Sequence, residues 1–413
     1  MSTRAVNRCR KQLLAYIEEF KDLLGRQERG HWCFMYLSGL MQEGERKSVQ
    51  PMAGRLPGGN EQNMQQFVNQ SPWLHQPILE RLSIKLYRKM LDKKGVLVLD
   101  DTSLPKKGKH SVGVARQYCG ALGKVSNCQS VVTWHYATKR QDHFPLIGQL
   151  YLPEEWTRDK KRLKKAGVPK TNGKFKKKWE IALDLLKEIP NEVKYEAIAF
   201  DAGYGEIRAF LRKLDEEGKI FIAQIPESHS FWPLDVPLTY EQPKVGNRRK
   251  YPAVNDKTLK PKSAGKWKSY LEKGESWRKI PISLKSKKHV MVKAVRVKEV
   301  ISEAFYRPGE ERWLVIEKFG KDQFKYFVSN APLRTAVKKM VGWIHQRWQV
   351  EQGYQQLKEE LGLDHFEGRS WKGLHHHLTL CFMAYDFLLL LKLEKGKKNK
   401  TSSIELAADT SVA

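Results

Sequence analysis

Val96-Leu97-Val98-Leu99-Asp100-Asp101-Thr102-Ser103 is the stretch from which the rest of the chain can be read. Four apolar residues in succession, two of them β-branched, stand between Lys93, Lys94 and Gly95 on one side and Pro105 on the other. That pattern predicts a strand buried on both faces. Two carboxylates stand at its end. Extended backbone aims successive side chains at opposite faces, so Asp100 and Asp101 are expected to part, one serving a site and the other not. The cationic segment Pro105-Lys106-Lys107-Gly108-Lys109-His110 follows, suited to neutralising phosphate beside a carboxylate site. Residues 112–118 and 126–136 predict two more strands joined by a turn at 120–123, completing an antiparallel meander of three.

A second acid arrives in a similar way. Residues 195–200 (Tyr-Glu-Ala-Ile-Ala-Phe) predict a strand delivering Asp201, with Gly203 and Gly205 making the turn into a helix at 206–214. A plain helix N-cap is the structural alternative for Asp201. Residues 335–393 are again helical. At about 100° per residue, Ile344, Arg347, Glu351 and Lys358 fall within an arc of roughly 60° and share one face. Asp100, Asp201 and Glu351 therefore form a candidate trio from three remote segments. Two divalent cations holding the attacking and leaving oxygens of a phosphodiester about 4 Å apart need such a set. Hard oxygen ligands select Mg²⁺ or Mn²⁺. Arg347 and Lys358 would hold phosphates beside the metals, the arginine through a bidentate fork.

Composition narrows the partner. Lys and Arg number 75 against 46 Asp and Glu, a formal charge of +29 that resists compaction unless a polyanion neutralises it; nucleic acid is the first candidate. A content of 40% hydrophobic residues and 12 Trp suit a globular enzyme or reader rather than a packaging protein. The 5 cysteines include no CxxC pair, which argues against a structural zinc site or a disulfide framework and for reduced thiols in a cytosol. Cys119 and Cys128 read as small core residues or neighbours across a hairpin. No apolar core follows the basic amino terminus, so no secretion signal is expected. The run 378–391 contains Asp386 and falls short of the roughly 20 residues of a membrane span, so a core helix is expected there. His375, His376 and His377 are adjacent on a helix and project apart, which disfavours metal ligation.

Before the opening strand the pattern is helical: Leu13, Leu14, Ile17, Phe20, Leu23 and Leu24 form one stripe, and Ser71-Pro72 predicts the start of a later helix. Between 220 and 329 the periodicity changes to two, with basic loops between short strands. One of these, 244–279, interleaves cations with Tyr251, Trp267, Tyr270 and Trp277, a composition suited to stacking on an unpaired base or to an ordinary surface loop.

Several longer words in the chain belong together. They are Gly44-Glu45-Arg46-Lys47-Ser48-Val49, the run from Leu99 to Tyr118 that includes Pro105-Lys106-Lys107-Gly108-Lys109-His110-Ser111-Val112-Gly113-Val114-Ala115-Arg116-Gln117-Tyr118, Leu150-Tyr151-Leu152-Pro153-Glu154-Glu155-Trp156, Asp201-Ala202-Gly203-Tyr204-Gly205, and the helix around Arg347. In these the chain resembles the DDE transposases of bacterial insertion sequences, in the insertion sequence 701 branch related to the insertion sequence 4 group. The resemblance implies a mixed α/β fold: an RNase H-like catalytic core interrupted by a β-rich insertion and preceded by an all-α domain. The implied division is a helical DNA-binding domain at 1–92, the first part of the core at 93–218, the insertion at 219–332, the C-terminal core helices at 333–393 and a disordered tail at 394–413.

Relatives carry Asp-x-Thr at the first strand, which selects Asp100 over Asp101 as ligand. They also carry a Tyr-x2-Arg-x3-Glu-x6-Lys signature that Arg347, Glu351 and Lys358 match. Ile344 stands where the tyrosine would be, with Trp343 or Tyr354 as its substitutes. The implied metal ligands and catalytic residues are Asp100, Asp201 and Glu351, with two Mg²⁺ or Mn²⁺ ions per active site. Arg347, Lys358, Lys106, Lys107, Lys109, Arg116, Trp343 and Tyr354 are the implied DNA contacts. The implied activity is binding of terminal inverted repeats, hydrolytic cleavage and joining of 3′-hydroxyl ends to target double-stranded DNA. A homodimer would form in the synaptic complex, in the bacterial cytoplasm with the nucleoid and without a membrane. Two other readings stand beside it: a non-catalytic sequence-specific DNA-binding protein on the same scaffold, and a structure-specific RNase H-like nuclease.

Overall fold

The structure is a computed structural model that describes residues 3–90, 93–239, 252–256, 258–274, 276–282, 288–302 and 307–398. Among the described residues six helices precede the sheet: α1 (Thr3–Glu18), α2 (Lys21–Leu24), α3 (Gln27–Met41), α4 (Val49–Arg55), α5 (Glu61–Asn69) and α6 (His75–Lys89). The last begins at His75, not at Ser71-Pro72; it is Pro77 that occupies the first turn, where a missing N–H removes no helical bond.

Then come β1 (Val96–Pro105), β2 (Ala115–Cys119), β3 (Lys124–Ala137) and β4 (His143–Leu150). β3 lies between β1 and β2, so the expected meander order is replaced. The cause is its length: over 14 residues, its opening Lys124–Cys128 segment pairs with β2 while Cys128–Ala137 pairs along the whole of β1. β4, which Pro145 and Gly148 disguise in the sequence, covers the other edge of β3, and its proline sits opposite a register shift at Trp134/His135, where a ladder N–H is dispensable.

The chain continues through α7 (Glu154–Arg158), α8 (Lys160–Lys165) and α9 (Lys178–Glu188) to β5 (Ile198–Phe200), α10 (Ala202–Gly205), α11 (Arg208–Glu216) and β6 (Phe221–Ile225). β5 and β6 are parallel to β1. Three antiparallel strands, β4, β3 and β1, followed by two parallel ones make the centre of the mixed sheet, where the RNase H-like core is expected, with α9 laid on β3 through the Trp134 indole, which donates to the Ala182 carbonyl at 2.9 Å.

The β-rich segment grows out of this sheet. It comprises β7 (Ser230–Trp232), β8 (Leu238–Thr239), β9 (Ala253–Val254), β10 (Lys262–Ser263), α12 (Ala264–Glu272), β11 (Arg278–Pro281), β12 (His289–Ser302), β13 (Arg307–Lys318) and β14 (Phe324–Ser329). β14 pairs antiparallel with β6, covering an edge that would otherwise present unpaired backbone, and β13, β12, β7 and β10 continue outward. Among the described residues twelve strands form one mixed sheet. The segment expected as a loop at 244–279 contains α12, while its stretch 244–251 lies outside the described residues. On β13, the buried Arg312 bonds Asp215 of α11 and, at 2.9 Å, Glu299 of β12, tying a core helix to the extension.

Among the described residues three helices come last: α13 (Val337–Gln346), α14 (Trp348–Glu359) and α15 (Trp371–Lys398). The helix breaks at Arg347, so Ile344 belongs to α13 while Glu351 and Lys358 belong to α14. α15 extends past 394, and 399–413 of the expected tail lie outside the described residues. Its stretch Trp371–Glu394 is long and apolar enough to cross a bilayer, but it is buried between the amino-terminal helices and β4. All three adjacent histidines on α15 engage protein: His375 accepts from the Leu150 N–H, the His376 ring lies 2.9 Å from both the Val68 and the Trp73 carbonyl and donates its one N–H to one of them, and His377 meets Tyr36 Oη at 2.9 Å. Burial pushes the pKa of each down to about 3. They fasten helices together.

Candidate active site

β1 and β5 align Leu97 with Ile198, Val98 with Ala199 and Leu99 with Phe200. Residues directly opposed across neighbouring strands project to the same face, so one more step along each strand sets Asp100 beside Asp201. Asp201 leaves β5 and caps α10, its Oδ1 accepting from the Tyr204 N–H at 3.3 Å. The capping reading and the site reading hold for one and the same residue. Gly205 lets that turn close onto β6, since a Cβ there would collide with the Gln224 carbonyl.

Solvent reaches part of Asp100, but protein hems the carboxyl in on nearly every side. Burial first, then the charge of Asp201, raise its pKa to about 7 against the opposing pull of Arg347. Asp201 is raised as well, chiefly by burial and also by Asp101, with the Tyr204 N–H and Arg347 opposing. Two desolvated carboxylates sharing a cleft leave it short of positive charge. Hard oxygens with that deficit fit a divalent cation, and Asp100 and Asp201 are the residues that would hold it.

Asp101 parts from Asp100 only in direction. Its Oδ2 accepts from Lys178 Nζ at 2.6 Å and from Ser130 Oγ at 3.0 Å, yet its charge still bears on Asp100, Asp201 and Tyr204. Sequence reasoning missed Lys178 as a site residue; its only signal was the lysine-rich run ending at the start of α9.

α14 lies against β4 at Gly353, where a Cβ would collide with His143 Nε2. This close approach buries Tyr354, whose hydroxyl shares a hydrogen bond with Thr133 Oγ1; Thr133 in turn bonds His135 Nε2 at 2.9 Å. Burial, with Asp100 adding, raises the Tyr354 pKa well above the ordinary phenol value. Lys358 is half-buried and its pKa is lowered by desolvation, with Asp364, Cys119 and Asp100 opposing. Arg347 bonds Glu351 at 2.9 Å, and the glutamate side chain is 46% exposed. Among the described residues no group of three or more His, Cys, Asp or Glu side chains is disposed to hold a metal ion. The structure brings Asp100, Asp201, Arg347, Tyr354 and Lys358 together, and Glu351 joins them through Arg347.

The other expected contacts divide. Lys107, Lys109 and Arg116 are exposed. Lys106 donates to the Asp364 and Phe366 carbonyls at 3.1 and 2.6 Å, and burial lowers its pKa to about 8; it braces the loop after α14. Trp343 is buried, donating to Glu196 Oε2 at 3.2 Å, and Ile344 is buried in the core beside it. Cys119 and Cys128 are buried on facing strands of the β2–β3 hairpin as free thiols.

The family model described as DDE superfamily endonuclease matches residues 19–286. A curated relative from Microchaete diplosiphon, "Probable transposase for insertion sequence element IS701", is 30% identical over 218 residues, covering 52% of this chain and 53% of the relative. The chain thus spans about half the length of the curated relative it matches. A cryo-EM structure of a piggyBac transposase synaptic complex with hairpin DNA aligns with a TM-score of 0.44 and 11% identity, over 100% of this chain and 77% of that one. DDE superfamily enzymes use divalent metals, in keeping with the carboxylate pair on β1 and β5. The match takes in both strand-end aspartates and runs over well more than half of the sequence, and the chain belongs to the DDE superfamily endonucleases.

Proposed function

We propose that this chain is a transposase that binds the terminal inverted repeats of its insertion sequence, cleaves the DNA hydrolytically and joins the freed 3′-hydroxyl ends to target DNA. The observation that carries this reading is the register of β1 and β5, which sets two desolvated carboxylates side by side with Asp100 raised to about 7. Asp100 and Asp201 would hold Mg²⁺ or Mn²⁺, two ions per site, with Glu351 as the further ligand if its bond to Arg347 were released. The ions, when bound, supply charge neutralisation at the attacked phosphate and activation of the attacking oxygen. Arg347, freed from Glu351, forks onto a DNA phosphate; Lys358 adds a second positive charge on the same helix. Tyr354, fixed by Thr133, walls the cleft beside Asp100. Two DNA ends require two such sites, so the DNA-bound state is a homodimer.

The test is cleavage of DNA carrying the inverted repeats that flank the reading frame, with Mg²⁺ present. Asp100→Asn, Asp201→Asn and Glu351→Gln should each slow cutting by on the order of a thousandfold. An Asp100→Asn variant that cuts at the wild-type rate would refute the assignment. The Arg347–Glu351 pair favours one second reading, a non-catalytic DNA-binding protein; metal-independent binding of end DNA with no cutting under any divalent cation would establish it.

A further inference from the structure

The β2–β3 hairpin carries an apolar tip that no neighbour among the described residues covers. Tyr118, Leu122 and Val125 are 67%, 46% and 53% exposed. The register pairs Tyr118 with Val125 and Arg116 with Asn127, so these four side chains share the solvent-facing side of the hairpin, while Cys119 and Cys128 are buried behind them. A short 3₁₀ turn at Gly120–Leu122 and Gly123, in the left-handed region at φ 62°, close the tip. Such exposure of a tyrosine, a leucine and a valine at one turn costs solubility unless something is placed there.

The surroundings say what. Beside the hairpin lies a cleft of about 850 Å³, lined by Lys109, Arg116, Lys124 and Arg162, with Glu155 the acid among them. The cleft is built: Arg162 lies 3.6 Å over the Trp156 ring and donates to the Lys109 carbonyl at 2.8 Å, the Trp156 indole donates to the Val114 carbonyl at 2.7 Å, and Asn127 donates to the Gly108 carbonyl at 3.1 Å. Loop, hairpin and α8 therefore present their cations from a fixed frame. The tip is also fixed relative to the carboxylates. The Gly120 N–H donates to Ser103 Oγ at 3.3 Å, and Ser103 lies three positions beyond Asp100 on β1, roughly 10 Å along the strand, on the face that carries Asp101.

The geometry points to the β2–β3 hairpin as a DNA wedge: Tyr118, backed by Leu122 and Val125, enters the base stack within a few base pairs of the cut phosphate, while Arg116, Lys124, Lys109 and Arg162 hold the adjoining backbone. Aromatic and aliphatic side chains displace a base step and stack on it, and flanking cations offset the phosphate repulsion that opposes such an approach. A second copy of this chain is a poorer occupant, because two such tips would bring two cationic clefts face to face. The inference rests on the transposase reading, and names the surface by which that reading's DNA is gripped.

The experiment uses the full chain in EDTA, so that nothing is cut, and a duplex ending in the flanking inverted repeat with 2-aminopurine placed in turn at each base pair near the end. Wild-type protein should raise the emission at one step close to the cleavage position. Tyr118→Ala should abolish that rise and weaken binding by on the order of tenfold, whereas Tyr118→Trp should keep both. Arg116→Ser with Lys124→Ser should lower the slope of log affinity against log salt by about 2. Since all these residues are exposed, folding is not at stake. Tyr118→Ala with unchanged emission and affinity overturns the wedge while leaving the transposase reading intact. Loss of a dimer by Tyr118→Ala in sedimentation overturns it in favour of self-association. Wild-type protein that fails to bind end DNA defeats both readings together.

Discussion

Asp100→Asn should make the metal-free protein more stable, and only at high pH. An aspartate in an unfolded chain titrates near 3.9, whereas in the folded protein burial and Asp201 hold Asp100 at about 7. Between those values the folded state binds more protons than the unfolded one, so stability falls as pH rises through the window and the whole cost is present above it. About three pKa units at about 1.36 kcal/mol each put that cost near 4 kcal/mol as a ceiling. With an unfolding entropy of about 2.1 cal/mol/K per residue, a chain of 413 residues would shift its melting temperature by roughly 4–5 °C. The assay is a pair of thermal melts in EDTA. At pH 8 the asparagine variant should melt several degrees above wild type, and near pH 4 the two should coincide. Adding Mn²⁺ at pH 8 should raise the wild type and leave the variant nearly unmoved. A variant that melts lower than wild type at pH 8, or a gap that does not vary with pH, would refute the electrostatic account of the cleft.

Three further outcomes are expected. Gly353→Ala drives a methyl into His143 and should cost about 1–3 kcal/mol by urea denaturation while misplacing Glu351 and Lys358 enough to lower cleavage. Arg312→Met leaves the buried Glu299 without its counter-ion, while the half-buried Asp215 keeps the Asn330 amide, and should cost about 3 kcal/mol, read as a fall in urea midpoint; an unchanged midpoint would show that Glu299 is not desolvated. Lys107→Ser and Lys109→Ser should each reduce the salt slope of DNA binding by about 0.9, whereas Lys106→Met should lower stability, because Lys106 Nζ is spent on two backbone carbonyls.

Much of the core was legible because its signals are local. The run ending in Asp100 and the strand ending in Asp201 carry their own hydrophobic pattern and their own turn residues, and parallel register did the rest. The order of strands was not legible, because nothing in residues 124–137 announces that one strand serves two partners in succession. β4 was hidden by a proline whose place at a register shift depends on β3. At the site, the helical wheel found the neighbours Arg347, Glu351 and Lys358 but not the break at Arg347, and it could not see that the arginine and the glutamate satisfy each other. Lys178 was invisible for a different reason: its partner is set by where α9 lands on β3, a packing choice made by Trp134 and Ala182 far from either charge. Trp343 and Lys106 carried the right chemistry for DNA and are consumed by the interior instead.

The antiparallel joint between β6 and β14 has a bearing on engineering. An accessory module hung on a flexible tether can be clipped off or exchanged between relatives. Here the host contributes one edge of the ladder and the guest the other, so a chimera would have to carry Phe221–Ile225 across with Phe324–Ser329, or leave a raw edge next to Asp201.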